Sequence, residues 1–304
     1  MKLMNFFIDE AKKKIDVGLV TDEGVIDINK ATAAKNMILP CNCGFCENHG
    51  THLTMERIIA AGDEGKAFVL RAAEGQPVIP ESGLLYAPVV TCPEKILCVG
   101  SNYRAHSEEM AGVVPDYPIL FAKFNSALNY HNGNVIMPKA GEKFDYEVEL
   151  VVVIGKTAKN VPLEKAMDVV YGYTIGNDIS MRKQYKSPLS QWTTNKSPDT
   201  FAPVGPYIVT KDEIDCFNTN LRLYRNGVEK QNNNTKYLIA DVPFLVSHAS
   251  LFFTLRPGDI IFTGTPNGVI AGKDNTDPWL QNGEELVAEI DGIGKLRNVM
   301  VDEA

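Results

Sequence analysis

The chain has 304 residues and a formal net charge of -8, enough length for one large domain, or a large one with a smaller companion, around a substantial core. That acidic balance argues against nucleic acid or anionic lipid as a partner, because both need a concentrated basic surface, and no apolar run approaches the length that spans a bilayer. Six cysteines in a chain this long do not make a disulfide scaffold, so reduced thiols in a soluble, cytoplasmic protein are expected.

Residues 1–90 read as a separate, smaller unit. Residues 14–20 and 24–28 are short apolar runs separated by Thr21-Asp22-Glu23, the pattern of a β-hairpin. Over residues 55–73 the spacing of Ile58, Ile59, Ala61, Phe68, Val69 and Leu70 predicts a helix that Gly62 and Gly65 break into two pieces. Between hairpin and helix, Cys41, Cys43, Cys46 and His49, followed by His52, offer zinc-type ligands. Only Cys43 and Cys46 have the usual paired spacing, so structural zinc competes with a solvent-facing loop bearing incidental thiols. Proline-rich residues 77–93 read as a linker.

Residues 95–100 form a short buried-strand pattern, and 101–110 a capped helical turn that Gly112 ends. On a helix, His106 and Glu109 share a face, so the carboxylate can hold one ring nitrogen while the other takes a proton from water. An exposed helix carrying a histidine and several acids is the plainer alternative. Lys123 interrupts the apolar run 119–124, where it either snorkels to the rim or meets an anionic ligand.

Val148 and residues 150–154, closed by Gly155, predict a strand on which Glu147 and Glu149 point the same way. Residues two apart on a strand lie roughly 6 to 7 Å apart at the backbone, a gap two carboxylates can close on one cation. Asp178 is the candidate third ligand, following a strand-like run and a Gly176-Asn177 turn. Such an oxygen face suits Mg²⁺, Mn²⁺ or Ca²⁺ better than zinc; the alternative is an ordinary solvated strand face. Arg182 and Lys196 are candidate carboxylate or oxyanion partners, or ordinary surface charges. Residues 221–228 predict a hairpin with an Asn-Gly turn. Around Thr265, Gly264, Pro266 and Gly268 make a tight loop whose backbone N–H groups could approach a ligand, without the ending of a phosphate loop. His131 and His248 are expected to be structural.

Several segments recur in a familiar order: Gly100-Ser101-Asn102-Tyr103 with His106, Asp145-Tyr146-Glu147-Val148-Glu149-Leu150, Gly172-Tyr173-Thr174 with Asn177-Asp178, and Lys196 with Asp199. Pro203 with Gly205-Pro206, Pro257-Gly258-Asp259 and Thr263-Gly264-Thr265-Pro266 with Gly268-Val269 complete the set. Over residues 94–301 this order resembles the fumarylacetoacetate hydrolase family, in its branch with a His-Glu dyad. The resemblance implies an α+β, predominantly β fold of mixed sheets, a catalytic domain over 94–304 and a small N-terminal domain, in a homodimer. It implies Mg²⁺ or Mn²⁺ on Glu147, Glu149 and Asp178, with His106 and Glu109 as the water-activating pair. Its substrates carry a 2-oxo acid or 1,3-dicarbonyl unit, and hydrolysis of a carbon–carbon bond through an enolate is the leading expectation. Lys196 would then face the oxyanion, Arg182 and Lys123 a substrate carboxylate, and Thr265 would lend a hydrogen bond. Isomerisation, tautomerisation or decarboxylation of 2-oxo acids uses the same enolate. A metal-binding or metal-sensing protein acting through the cysteine cluster is the competing class. The segment after Asp178 departs from the family pattern, since Gln184 directly follows Lys183.

Overall fold

The computed structural model describes residues 1–40, 52–110, 112, 114–184, 191–272 and 274–304. The candidate zinc ligands Cys41, Cys43, Cys46 and His49 lie outside them. In chain order the first elements are β1 (Lys2–Phe7), β2 (Ile15–Thr21), β3 (Gly24–Asp27), α1 (Ile28–Ala34), α2 (Met55–Ala73) and β4 (Leu85–Tyr86). Next come β5 (Ile96–Gly100), α3 (Arg104–Glu109), β6 (Ile119–Lys123), β7 (Leu128–Asn129), β8 (Asn134–Met137), β9 (Gly141–Asp145) and β10 (Val148–Ile154). The chain continues through β11 (Val170–Asn177), β12 (Ser180–Gln184), α4 (Trp192–Lys196), β13 (Ala202–Thr210), β14 (Asn220–Arg225) and β15 (Val228–Asn234). It ends with α5 (Val242–Phe252), β16 (Ile260–Phe262), β17 (Glu285–Ile290) and β18 (Gly294–Asp302).

Strand β10 shows why the fold is mostly β. All seven of its residues are buried, and they divide by parity between two cores. Val148, Leu150, Val152 and Ile154 enter one core, and Val151 and Val153 the other. A strand covered on both faces reads as a continuous apolar run, and each such side chain contributes roughly 1.5–3 kcal/mol by leaving water. Antiparallel β11 and β16 flank β10. The sheet runs β3-β2-β1-β13-β11-β10-β16-β5-β6, with β4 on β1 and β7 on β13. A second sheet, β15-β14-β17-β18-β8, shares the first core, and β9 and β12 form a short ribbon. The architecture is α+β, predominantly β, as expected.

The N-terminal hairpin is continuous with this sheet, because Lys2 and Leu3 of β1 pair with Val209 and Ile208 of β13. Residues 77–93 are not a free linker. Leu85 and Tyr86 pair with β1, Val89 and Val90 are fully buried, and Asn5 Nδ2 donates to Pro88 O at 2.8 Å. Only Gly62 kinks α2 (φ 55°, ψ −126°), while Gly65 remains helical. Gly176 and Asn177 belong to β11 and do not form a turn. Glycine is needed at 176 for space, since a β-carbon would lie 2.4 Å from Phe262 Cε1 and 2.6 Å from Val151 Cγ2. The Asn226-Gly227 hairpin forms as expected, both residues having positive φ.

A candidate metal and catalytic site

The site lies where β10 begins and β11 ends. Glu147 and Glu149 share the parity of Val151 and Val153, and Asp178 N donates to Glu147 O at 2.8 Å, bringing the third carboxylate alongside. Asn177 Oδ1 accepts from Glu147 N at 2.9 Å, so the strand end is pinned. Carboxylate oxygens of Glu147, Glu149 and Asp178 lie within 4.8 Å of one another, and all three residues are buried.

Two lysines enter this cluster from elsewhere in the chain. Lys196 Nζ bridges Glu147 Oε2 at 2.7 Å and Asp178 Oδ2 at 2.8 Å. Lys123 Nζ is 2.6 Å from Asp178 Oδ1 and donates to the carbonyls of Ile179 at 3.1 Å and Phe201 at 2.5 Å. Its side chain is 0% exposed. This corrects two readings: Lys123 neither snorkels to the rim nor faces a substrate carboxylate, because its ammonium is spent on Asp178 and two backbone carbonyls. Arg182 donates through Nε and Nη2 to Asp145 Oδ2 (3.0 and 2.8 Å) and through Nη2 to Glu147 Oε1 at 2.5 Å.

Burial alone would push the Glu147 carboxyl up, but Lys196 and Arg182 outweigh it and hold it well below the ordinary range. Glu149 goes the other way: burial, then Asp178 and Glu147, push its carboxyl well above that range. Its hydrogen bond from Gly264 N at 2.6 Å does not offset them. Burial opposes the Lys196 charge, yet Asp178 and Glu147 keep the ammonium firmly protonated. Among the described residues, Glu149 is thus a buried carboxyl with no cation paired to it, and Asp178 Oδ1, although beside Lys123, has no aligned hydrogen bond. Both observations fit a hard divalent ion held by Glu147, Glu149 and Asp178.

His106 and Glu109 sit on α3, where His106 Nδ1 and Glu109 Oε1 are 2.9 Å apart. The helix starts at Arg104 without a side-chain cap. Asn102 leaves that role to tie Ala240 and Thr263 together, donating to both carbonyls and accepting from Ala240 N. Glu109 accepts from Gly268 N at 2.9 Å, which fixes the carboxylate that fixes the histidine. Among the described residues, no hydrogen-bond partner meets Nε2. His106, Glu147, Arg182, Lys196 and Thr265 line one cavity of about 380 Å³.

The loop after β16 spends four of its amides on the site's own acids. Gly264 N serves Glu149, Gly268 N serves Glu109, and Ile270 N and Ala271 N serve Asp145 at 2.8 and 3.1 Å. Thr265 Oγ1 donates to Val148 O and accepts from Gln231 Nε2, so its proton is already committed inside the fold. Gln184 reaches Asn195 Oδ1 at 2.7 Å and Thr194 Oγ1, bracing α4. Sequence reasoning gave Asp145 no role, yet it is fully buried and accepts from Arg182 and three backbone amides. The alternation Asp145, Glu147, Glu149 was the available signal.

The chain matches the family model "Fumarylacetoacetate (FAA) hydrolase C-terminal" over residues 95–301. It is 44% identical over 216 residues to the fumarylacetoacetate hydrolase domain-containing protein 2 homolog of Dictyostelium discoideum, covering 68% of this chain and 71% of that one. It is 36% identical over 306 residues to the mitochondrial oxaloacetate tautomerase fahd2 of Xenopus laevis, covering 99% of this chain and 90% of the relative. A maleylpyruvate hydrolase from Sphingobium sp. SYK-6, solved with manganese (II) ion and pyruvate, superposes with a TM-score of 0.79 over all of both chains at 29% identity. No helix among the described residues is long and apolar enough to cross a membrane. The ordered motifs, the fold and these likenesses agree: the chain belongs to the fumarylacetoacetate hydrolase family.

Proposed function

We propose that this protein is a divalent-metal-dependent enzyme that interconverts the keto and enol forms of a 2-oxo acid, using His106 to move the proton at C3. The observation that carries this reading is that His106, held by Glu109, and Glu147, one of the three clustered carboxylates, line one cavity. The name of the Xenopus relative, an oxaloacetate tautomerase matched over nearly the whole chain, supports the same chemistry.

A bound Mg²⁺ or Mn²⁺ would supply Lewis-acid polarisation of the 2-oxo group. Glu109 holds Nδ1–H of His106, which leaves Nε2 as the acceptor for a C3 proton. The C3–H electron pair becomes the C2–C3 double bond, and the carbonyl π pair moves to oxygen. Lys196, beside Glu147 and Asp178 and lining the cavity, is the donor placed to stabilise that oxygen. A proton from water on that oxygen gives the enol while His106 passes the C3 proton to solvent; in the reverse direction the O–H proton leaves and protonated His106 returns a proton to C3. Arg182 acts chiefly as the cation that keeps Glu147 ionised.

Hydrolysis of a carbon–carbon bond is the second reading, because His106 could instead take its proton from water. The likeness to a maleylpyruvate hydrolase favours it. A metal-supplemented assay with oxaloacetate, acetylpyruvate and an unsaturated 2-oxo diacid, each with product identification, separates the two. Keto–enol interconversion without new acids, reduced about 10²- to 10⁴-fold in His106→Ala, is the expected result. Release of acetate and pyruvate from acetylpyruvate would establish the hydrolase instead.

A further inference from the structure

We infer that Trp192 and Phe121 select the substrate's far end, and that this end is an uncharged apolar or aromatic group and not a second carboxylate. The inference rests on the 2-oxo acid chemistry proposed above and names the class of 2-oxo acid.

Trp192 opens α4 and lines the cavity, yet the residue is 45% exposed, unusual for an indole with a purely structural task. It meets Phe121 edge-on, with ring centroids 4.8 Å apart at 77°. Its Cη2 and Cζ3 lie over Gly100, where a β-carbon would come within 3.0 and 3.3 Å, so the strand end leaves the indole room to lie close against it. The wall is tied to the carboxylate cluster by Lys196, whose Nζ is 5.3 Å from the Phe121 ring centre while contacting Glu147 and Asp178. A 2-oxo acid head held at the carboxylates therefore has this aromatic corner within reach of its next atoms.

Charge argues in the same direction. Among the described lining residues the cations are Arg182 and Lys196, and both sit at the carboxylate cluster, Arg182 on Asp145 and Glu147 and Lys196 on Glu147 and Asp178, where Lys196 faces the head oxygen of the substrate and not its far end. Among the described residues, Trp192, Phe121 and Met110 offer a second substrate carboxylate no cation, so it would lose hydration against them. An apolar tail would gain stacking and burial there. The volume of about 380 Å³ falls among pockets that enclose ligands well beyond a four-carbon diacid.

The sequence contains two tryptophans, so Trp279→Phe leaves Trp192 as the sole indole reporter. The experiment titrates this Mg²⁺-supplemented variant with 4-phenyl-2-oxobutanoate, 2-oxobutanoate and oxaloacetate, reading indole fluorescence, and measures C3 proton exchange for each in wild type and Trp192→Ala. The expected results are a saturable fluorescence change with the phenyl compound, and a kcat/KM for it about tenfold or more above oxaloacetate. Trp192→Ala should erase that preference by raising KM for the phenyl compound by a factor about tenfold or more larger than for oxaloacetate. Wild-type preference for oxaloacetate, or an equal loss on every substrate in Trp192→Ala, would overturn the inference. Should none of the three exchange at C3, the tautomerase reading fails by itself; fluorescence then decides alone, a response to the phenyl compound supporting the wall's role and its absence refuting it. The same titration decides if Trp192→Ala does not fold.

Discussion

Glu149 is the residue that makes a cation necessary. Its neighbours Glu147 and Asp178 share Lys196, and Asp178 also has Lys123, whereas among the described residues the donor to Glu149 is the Gly264 amide alone. Glu149→Gln should leave the metal-free protein as stable as wild type or roughly 1 kcal/mol more so, because a buried group that resists ionisation becomes neutral. The same variant should lose the thermal stabilisation by Mg²⁺ or Mn²⁺, which melting curves with and without metal will show. A metal-free melting point that falls by several degrees would mean that Glu149 is held by contacts other than a cation. The parity of Glu147 and Glu149 was legible because strand geometry is local. The lysines were not, since Lys123 and Lys196 reach the cluster from elements 55 and 18 residues away from Asp178, and internal ion pairing leaves no periodic trace.

At the scale of elements, the loop over residues 264–272 and the strand end at Asp145 act as one bracket. Asp145 Oδ2 takes Arg182 and Ala271 N, and Oδ1 takes Tyr146 N and Ile270 N. In Asp145→Asn, either orientation of the amide points its NH₂ at two or more donors. We expect a loss of stability of about 3 kcal/mol, as for a broken buried ion pair, and a fall in kcat as Gly268 moves off Glu109; denaturant titration and steady-state kinetics measure both. A second element-level case is His131, in the turn before β8. Its Nδ1 accepts from Arg297 N, its ring lies 4.4 Å from that of Tyr86, and burial pushes its pKa down to about 4. The unfolded imidazole titrates near 6.5, so the stability it lends is complete above that pH and is lost as the pH falls toward 4. His131→Phe should therefore flatten this acid limb by on the order of 2 kcal/mol in melting experiments between pH 7 and 4. The Asn226-Gly227 hairpin could be read directly because turn chemistry is local. The path of residues 77–93 could not, because proline content does not reveal that Leu85 and Tyr86 pair with a strand some eighty residues earlier.

For the whole molecule, the long sheet is the platform. Its N-terminal hairpin, the β10–β11 pair and the β5–β6 edge are one hydrogen-bonded surface. The β10–β11 pair delivers the carboxylates, β5 leads into the histidine helix, and β6 ends at Lys123. Order and spacing of the motifs made the catalytic part readable, while the joining of residues 1–90 to β13 depended on a pairing more than two hundred positions apart. Metal bound to such a folded site stabilises it by mass action, about 2.7 kcal/mol at a hundredfold excess over Kd; a chelator should lower the melting temperature reversibly. The central claim is that His106 moves a C3 proton beside a metal-binding carboxylate cluster. Its most direct test is the exchange of C3 protons of a 2-oxo acid in D₂O, followed by proton NMR with Mg²⁺ present. The account predicts rapid exchange in wild type, loss in chelator and in Glu149→Gln, and loss in His106→Ala with metal binding intact. Exchange that persists at the wild-type rate in His106→Ala would contradict it.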